Sequence, residues 1–377
     1  MNTELLNLFP KNYMASRERF RGQITHVQEH WPNAELHQYA LAEHPELTLD
    51  WLRAEALTQP EKLIILTTGE HGAEGIVGAA MMQLFIEEYL PRLNPQNTGL
   101  LLVHAINPWG MQHNRRVNSN NVDLNRNFIG DGKIFIPAAN PEYRPLHPFL
   151  NPQKTLRGSL CSKLEFLSKL IKIMVSPGQS ALRSGMLMGQ YEFSQGLYFG
   201  GGQIEEETWV MVDLYRKAVQ PYAQLLHLDM HTGYGPRYQM SLVNSPTERR
   251  APTELKTAFN YPEVVAASPE EFYAIQGDMI DWVYLLVQTE FPEKMLYATA
   301  FEFGTLGTSL PAAIRSLRAM IFENQVHWHG ALREATARRV QADFSELFAP
   351  TEKTWRAKAI ADARQAFDGI LRDQGFF

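Results

Sequence analysis

The stretch LIILTTGEHGAEG, residues 63–75, carries the reading of the fold. Its first half, Leu63–Leu66, is a short apolar run of the kind that forms a strand buried on both faces. Its second half is a loop punctuated by Gly69, Gly72 and Gly75, which free the backbone for a tight turn. After it, Ala73–Leu90 has the length and composition of a helix, and Leu100–Ala105 is a second apolar run. Strand, loop, helix, strand is the βαβ pattern of a sheet covered by helices. Leu225–Met230 and Met295–Phe301 add two more strands of the same type. Towards the end, Ile314, Leu317, Ile321, Trp328 and Leu332 keep helical spacing. Trp355, Ala359, Ala363, Phe367 and Leu371 do so again after Pro350. The expected architecture is a single α/β domain: a central mixed, mostly parallel twisted sheet flanked by helices.

The turn also places His71 and Glu74 just past a strand. His-x-x-Glu lets an imidazole and a carboxylate from one turn meet on one ion, although the same spacing occurs without a metal. LLHLDMHTGYG, residues 225–235, ends another strand. There His227, Asp229 and His231 alternate onto one face. His231 stands at the strand's carboxyl end, where open α/β sheets bind ligands. Asp229 reads as a carboxylate that hydrogen-bonds a ligand or orients a loop, and His227 as a core histidine. Two histidines and a glutamate leave one open zinc position, the coordination of a catalytic site. MLYATAFEFGTLG, residues 295–307, offers Glu302 as general base, or as a salt-bridged strand-end residue. INPWGMQHNRRVNSNNVDLNRNF, residues 106–128, supplies arginines suited to a carboxylate or oxyanion, or else a loop rich in Asx turns. His327 and His329, two apart in a helix, face different directions and are not read as ligands.

The chain has 377 residues, a net charge of −6 and 45% hydrophobic residues. That composition excludes disorder or a coiled coil as the main state. The acidic balance argues against a nucleic-acid partner. No apolar stretch is long enough to span a membrane. No secretory signal is read at Met1–Phe20, and Cys161 is the single cysteine, so a cytoplasmic location is expected. Residues 129–202 are dense in proline and glycine and carry aromatics, which suggests an ordered insertion over a site, with a short helix at Cys161–Met174.

Taken in order, these motifs resemble those of the zinc carboxypeptidase superfamily, that of carboxypeptidase A, across roughly residues 60–310. The resemblance implies one zinc ion per chain on His71, Glu74 and His231, with Glu302 as base. It implies that Asn125 and Arg126 hold a substrate carboxylate and that Arg116 stabilises the oxyanion, with Arg115 as the alternative register. In YAIQGDMIDW, residues 273–282, Tyr273 corresponds to a mobile phenol and Ile280 to a specificity-pocket residue. GQYEFSQGLYFGGG, residues 189–202, and HTGYGP, residues 231–236, resemble an uncharacterised bacterial branch that brings no substrate.

The domain boundaries follow: a catalytic domain over 1–330 with an insertion at about 129–202, and a helical extension over 331–377. The expected activity is zinc-dependent cleavage of an amide bond beside a carboxylate-bearing residue. The substrate would be a small peptide or an N-acyl amino acid; a non-catalytic metal-binding relative is the alternative. The insertion lengthens the stretch between Asn127 and His231 to 104 positions, more than the digestive members of the superfamily carry. That favours a small substrate.

Overall fold

The computed structural model describes residues 6–129, 135, 140–175, 188–266 and 277–377. Eight strands form one sheet: β1 (Glu35–Ala40), β2 (Thr48–Ala54), β3 (Lys62–Thr68), β4 (Thr98–His104), β5 (Gln224–Thr232), β6 (Met240–Asn244), β7 (Val264–Ala266) and β8 (Met295–Phe303). Their order is β1-β2-β4-β3-β5-β8-β6-β7. The four central strands, β4, β3, β5 and β8, run parallel. β2 and β6 flank them antiparallel. The fold is thus α/β with a mixed, mostly parallel sheet, as the apolar runs imply.

Those runs are buried on both sides because alternate residues face two different helical layers. Ile64, Leu66, Leu102 and Leu228 pack with helices Gly75–Glu88 and Lys353–Asp373. Leu63, Ile65, Leu101 and Leu225 pack with Glu206–Val219 and Met279–Glu290. The C-terminal helix therefore lies directly on the sheet, and Trp355 donates its indole N–H to the Gly304 carbonyl at 2.8 Å.

Two expectations shift in detail. The helix after β3 opens with a 3-10 turn at Gly72–Glu74 and becomes α-helical only over Gly75–Glu88. Leu332 falls outside the Leu310–His329 helix, which stops where Gly330 takes φ 67°. Within 129–202, the described residues include two helices, Tyr143–Leu150 and Ser159–Val175. Pro148 sits inside the first, so proline density there did not prevent helix formation.

The topology fixes where a site can form. From β3 the chain crosses to β4 on one side and later returns to β5 on the other. Such a switch point opens a crevice at the carboxyl ends of the strands. His71 lies just past β3, while His231 and Glu302 sit at the ends of β5 and β8. Their Cα atoms are direct register partners.

Candidate metal centre

The turn after β3 is held by backbone contact. Gly69 takes φ 67°, a left-handed conformation suited to glycine. A Cβ on Gly72 would lie 2.1 Å from the Gly110 carbonyl carbon, so this turn packs against the Pro108–His113 helix only with glycine there. The amides of Gly72 and Ala73 donate to the carbonyls of Arg116 and Arg115. This ties the turn to the arginine loop and aims His71 and Glu74 inward.

Both side chains are buried, as is His231. His71 Nδ1 lies 3.0 Å from Glu74 Oε1, and His231 Nδ1 lies 3.3 Å from Glu74 Oε2. The two Nδ1 atoms are 3.3 Å apart. Each imidazole is held from behind by a buried carboxylate. His71 Nε2 is 3.0 Å from Asp123 Oδ1, and His231 Nε2 is 2.5 Å from Asp229 Oδ2. Asp229 Oδ1 also accepts from Thr67 Oγ1 at 2.6 Å. Thr67 in turn meets His227, whose ring is also hydrogen-bonded to Tyr215. His227 is thus a satisfied core histidine, and burial pushes its pKa down to about 4.

The donor set suits a zinc ion. Ligand atoms at 2.0–2.1 Å from a tetrahedral zinc stand about 3.3 Å from one another. The Nδ1, Nδ1 and carboxylate atoms already have that spacing. The charge balance agrees, because several buried carboxylates surround two imidazoles and a divalent cation neutralises the surplus. Burial opposes ionisation of Asp123, yet Arg116, Arg126 and His71 hold its carboxyl well below the usual range. Burial likewise opposes ionisation of Glu74, and the two histidines hold its carboxyl low.

Glu70 was not singled out from the sequence. Together with His71 and His231 it forms a buried group whose potential ligand atoms lie within 4.8 Å. Its Oε2 is 3.5 Å from His231 Nε2, the nitrogen that Asp229 already holds. Neither of its oxygens has a hydrogen-bond partner among the described residues. Burial, then Asp229, raises its pKa well above the usual range. Glu74, facing both Nδ1 atoms, is the better third donor. Asp123 was also missed; its sequence signal is its place two residues before Asn125.

A cavity of about 340 Å³ opens over these residues. Glu302 lines it and accepts the Tyr234 amide N–H at 2.9 Å. Burial, then Glu74, pushes its pKa up to about 8. Arg116 reaches the site, with Nη1 3.2 Å from Glu74 and Nε 3.0 Å from Asp123. Arg115 turns away into a buried pair with Glu323 at 3.0 Å, so of the two registers only Arg116 faces the cavity. Asn125, Arg126 and Ile280 also line it. Asn125 is already engaged: its Nδ2 donates to Asp278 Oδ2 at 3.1 Å, and its Oδ1 accepts the Met279 amide at 2.9 Å. The Arg126 Nε is buried and unpartnered among the described residues. Tyr273 lies outside the described residues. His327 and His329 lie on the Leu310–His329 helix and are not among the residues lining the cavity.

The geometry defines an α/β protein with a buried Glu-His-His centre at the carboxyl ends of its parallel strands. The sequence matches the family described as "Protein of unknown function (DUF2817)" over residues 9–362, and the chain belongs to that family. No curated protein matches it. Among solved structures, the chain is similar to carboxypeptidase A from Helicoverpa armigera, with 14% identity, 88% of this chain and 73% of that one covered, and a TM-score of 0.45. It is similar to murein-tripeptide amidase MpaA from Escherichia coli O157, with 20% identity, 78% and 92% covered, and a TM-score of 0.36. An aspartoacylase family protein from Mesorhizobium loti is similar at 15% identity, with 80% and 68% covered and a TM-score of 0.36.

Proposed function

We propose that this protein is a zinc-dependent hydrolase that cleaves an amide bond next to a carboxylate-bearing residue. The observation that carries the reading is the convergence of His71 Nδ1, His231 Nδ1 and the Glu74 carboxylate at 3.0–3.3 Å, on the floor of a cavity that Glu302 also lines. His71, Glu74 and His231 hold the ion. Imidazole donors with a single carboxylate favour zinc over magnesium or calcium, which prefer all-oxygen shells. Zinc supplies Lewis acidity and a lowered pKa for water. Asp123 and Asp229 fix each imidazole's tautomer, so that Nδ1 is presented as the donor.

Glu302 takes a proton from the attacking water and delivers it to the leaving nitrogen. Arg116 offers N–H donors to the oxygen on which charge develops. Arg126 is a guanidinium suited to anchor the carboxylate on the leaving side. Asn125 contributes there once its amide exchanges Asp278 for substrate; until then it secures the start of the Met279–Glu290 helix. Tyr273 is kept as a substrate-covering phenol. The test is a panel of dipeptides and N-acyl amino acids, assayed with zinc-loaded protein and with the Glu302→Gln variant. Hydrolysis that needs zinc and falls by about 10²–10⁴ in the variant is expected. Equal rates in both proteins, or no turnover by fully zinc-loaded wild type, overturn the reading.

A further inference from the structure

Two groups of residues lining the cavity differ in chemistry. The first is Arg126, Asn125, Asp278 and Ile280, within which Asn125 donates to Asp278. The second is an apolar wall of Leu306, Leu317, Met320, Leu347 and Phe348. It is built by the Leu310–His329 and Glu334–Phe348 helices and the loop before them. Leu317, Met320, Leu347 and Phe348 are buried in one cluster with Ala73, the neighbour of Glu74. Phe348 is fixed beside the metal centre, where its carbonyl accepts from Thr232 Oγ1 at 2.5 Å. A Cβ on Gly233 would lie 3.0 Å from its ring. Met320 reaches round to Arg116 and Tyr198. Thr308 and Ser316, from the same loop and helix, also line the cavity.

This wall adjoins the metal centre through Thr232 and Ala73. A peptide running past it would bring backbone N–H and C=O groups against aliphatic and aromatic carbon, and those groups are costly to leave unpaired. An apolar chain gains by burial there. The cavity, at about 340 Å³, is at the small end for ligand sites. Resting on the amide-hydrolase reading above, we propose that the substrate is an amino acid N-acylated by an apolar chain. The acyl chain lies on Leu306, Leu317, Met320 and Phe348, and the amino-acid carboxylate faces Arg126. In the reaction the C–N bond breaks and a C–O bond to the water oxygen forms. Both water protons end on nitrogen, giving a fatty carboxylate and an ammonium-bearing amino acid.

The test uses N-acetyl, N-butanoyl, N-hexanoyl and N-octanoyl leucine and lysine, with Gly-Gly-Leu and Gly-Gly-Lys as peptide probes. Binding is measured by calorimetry on the zinc-loaded Glu302→Gln variant, and hydrolysis on the wild type. Each added methylene is expected to tighten binding and raise kcat/KM about fourfold until the wall is filled. The Leu306→Asp variant, at a half-buried position, is expected to flatten that series. A flat wild-type series, a preference for the tripeptides, or no binding by any acyl compound overturns the proposal. Chain-length-dependent binding without hydrolysis supports the acyl subsite and sinks the hydrolase reading. Hydrolysis of peptides with no chain-length effect does the reverse.

Discussion

Replacing Asp123 by Asn tests the metal centre through a residue that never touches the ion. Asp123 is fully buried, 3.0 Å from His71 Nε2 through one oxygen and 3.0 Å from Arg116 Nε through the other. Asn keeps an acceptor for His71, so the tautomer survives, but the carboxylate charge is lost. Its amide N–H₂ then confronts Arg116, donor against donor. Loss of such an outer partner lowers metal affinity by about 10–100-fold, or about 1.4–2.8 kcal/mol. At a fixed excess of free zinc, the stabilisation by bound ion shrinks by the same amount. For a chain this long, each kcal/mol is worth about 1.3 °C. The zinc-induced rise in Tm should therefore be about 2–4 °C smaller in Asp123→Asn than in wild type. Competition with a chelator of known affinity measures Kd directly. If the variant binds zinc as tightly as wild type, His71 is not a ligand held by Asp123, and the centre described here is wrong.

Two further outcomes concern the scaffold. His104 is buried, pairs with Ser16 at 2.7 Å and stacks on Phe20; burial, then the nearby arginines, pushes its pKa down to about 3. The folded state keeps this imidazole neutral while the unfolded chain protonates near pH 6.5. The stability it contributes is therefore present above pH 6.5 and is lost as pH falls towards 3. Between pH 7 and 5 that loss is about 2 kcal/mol. Urea melts of His104→Leu should show a correspondingly shallower decline, and parallel declines would refute the assignment. Trp355→Ala removes a side chain that anchors the C-terminal helix to the sheet. It should cost about 3–5 kcal/mol, a Tm drop of about 4–6 °C in calorimetry. A drop under 1 °C would mean that the Lys353–Asp373 helix is a detachable appendage.

Local sequence determined the central strands and the metal-ligand candidates. Buried parallel strands need apolar residues on both faces, so runs such as Leu63–Leu66 stand out against any background. The candidate ligands His71 and Glu74 share one turn, and the glycines that shape it are written beside them. The edge strand β1 and its neighbour β2 escaped notice because their mixed polar and apolar composition, as in ELHQYA and TLDWLRA, carries no such signature. Within 129–202, the helix read at Cys161–Met174 forms over Ser159–Val175, whereas Tyr143–Leu150 was obscured by prolines that local packing tolerates.

Other features depend on residues distant in the chain. His231 meets His71 only because β5 pairs with β3 across 160 positions. The choice of Arg116 over Arg115 was undecidable from NRRVN and follows from where Glu323, on a later helix, draws Arg115 away. Asp123 behind His71, Glu70 buried without a hydrogen bond among the described residues, and the engagement of Asn125 by Asp278 are likewise tertiary facts. The apolar wall beside the metal centre is the furthest from the sequence. Leu317 reads as an ordinary core residue of an amphipathic helix, Met320 and Phe348 carry no signal of their own, and only the packing of the Leu310–His329 and Glu334–Phe348 helices beside Thr232 turns part of that core into the lining of a cavity. Sequence by itself determined the chemistry available, because ligand type and strand burial are local properties. The tertiary structure decided which groups meet and what they exclude, because that depends on how distant segments pack.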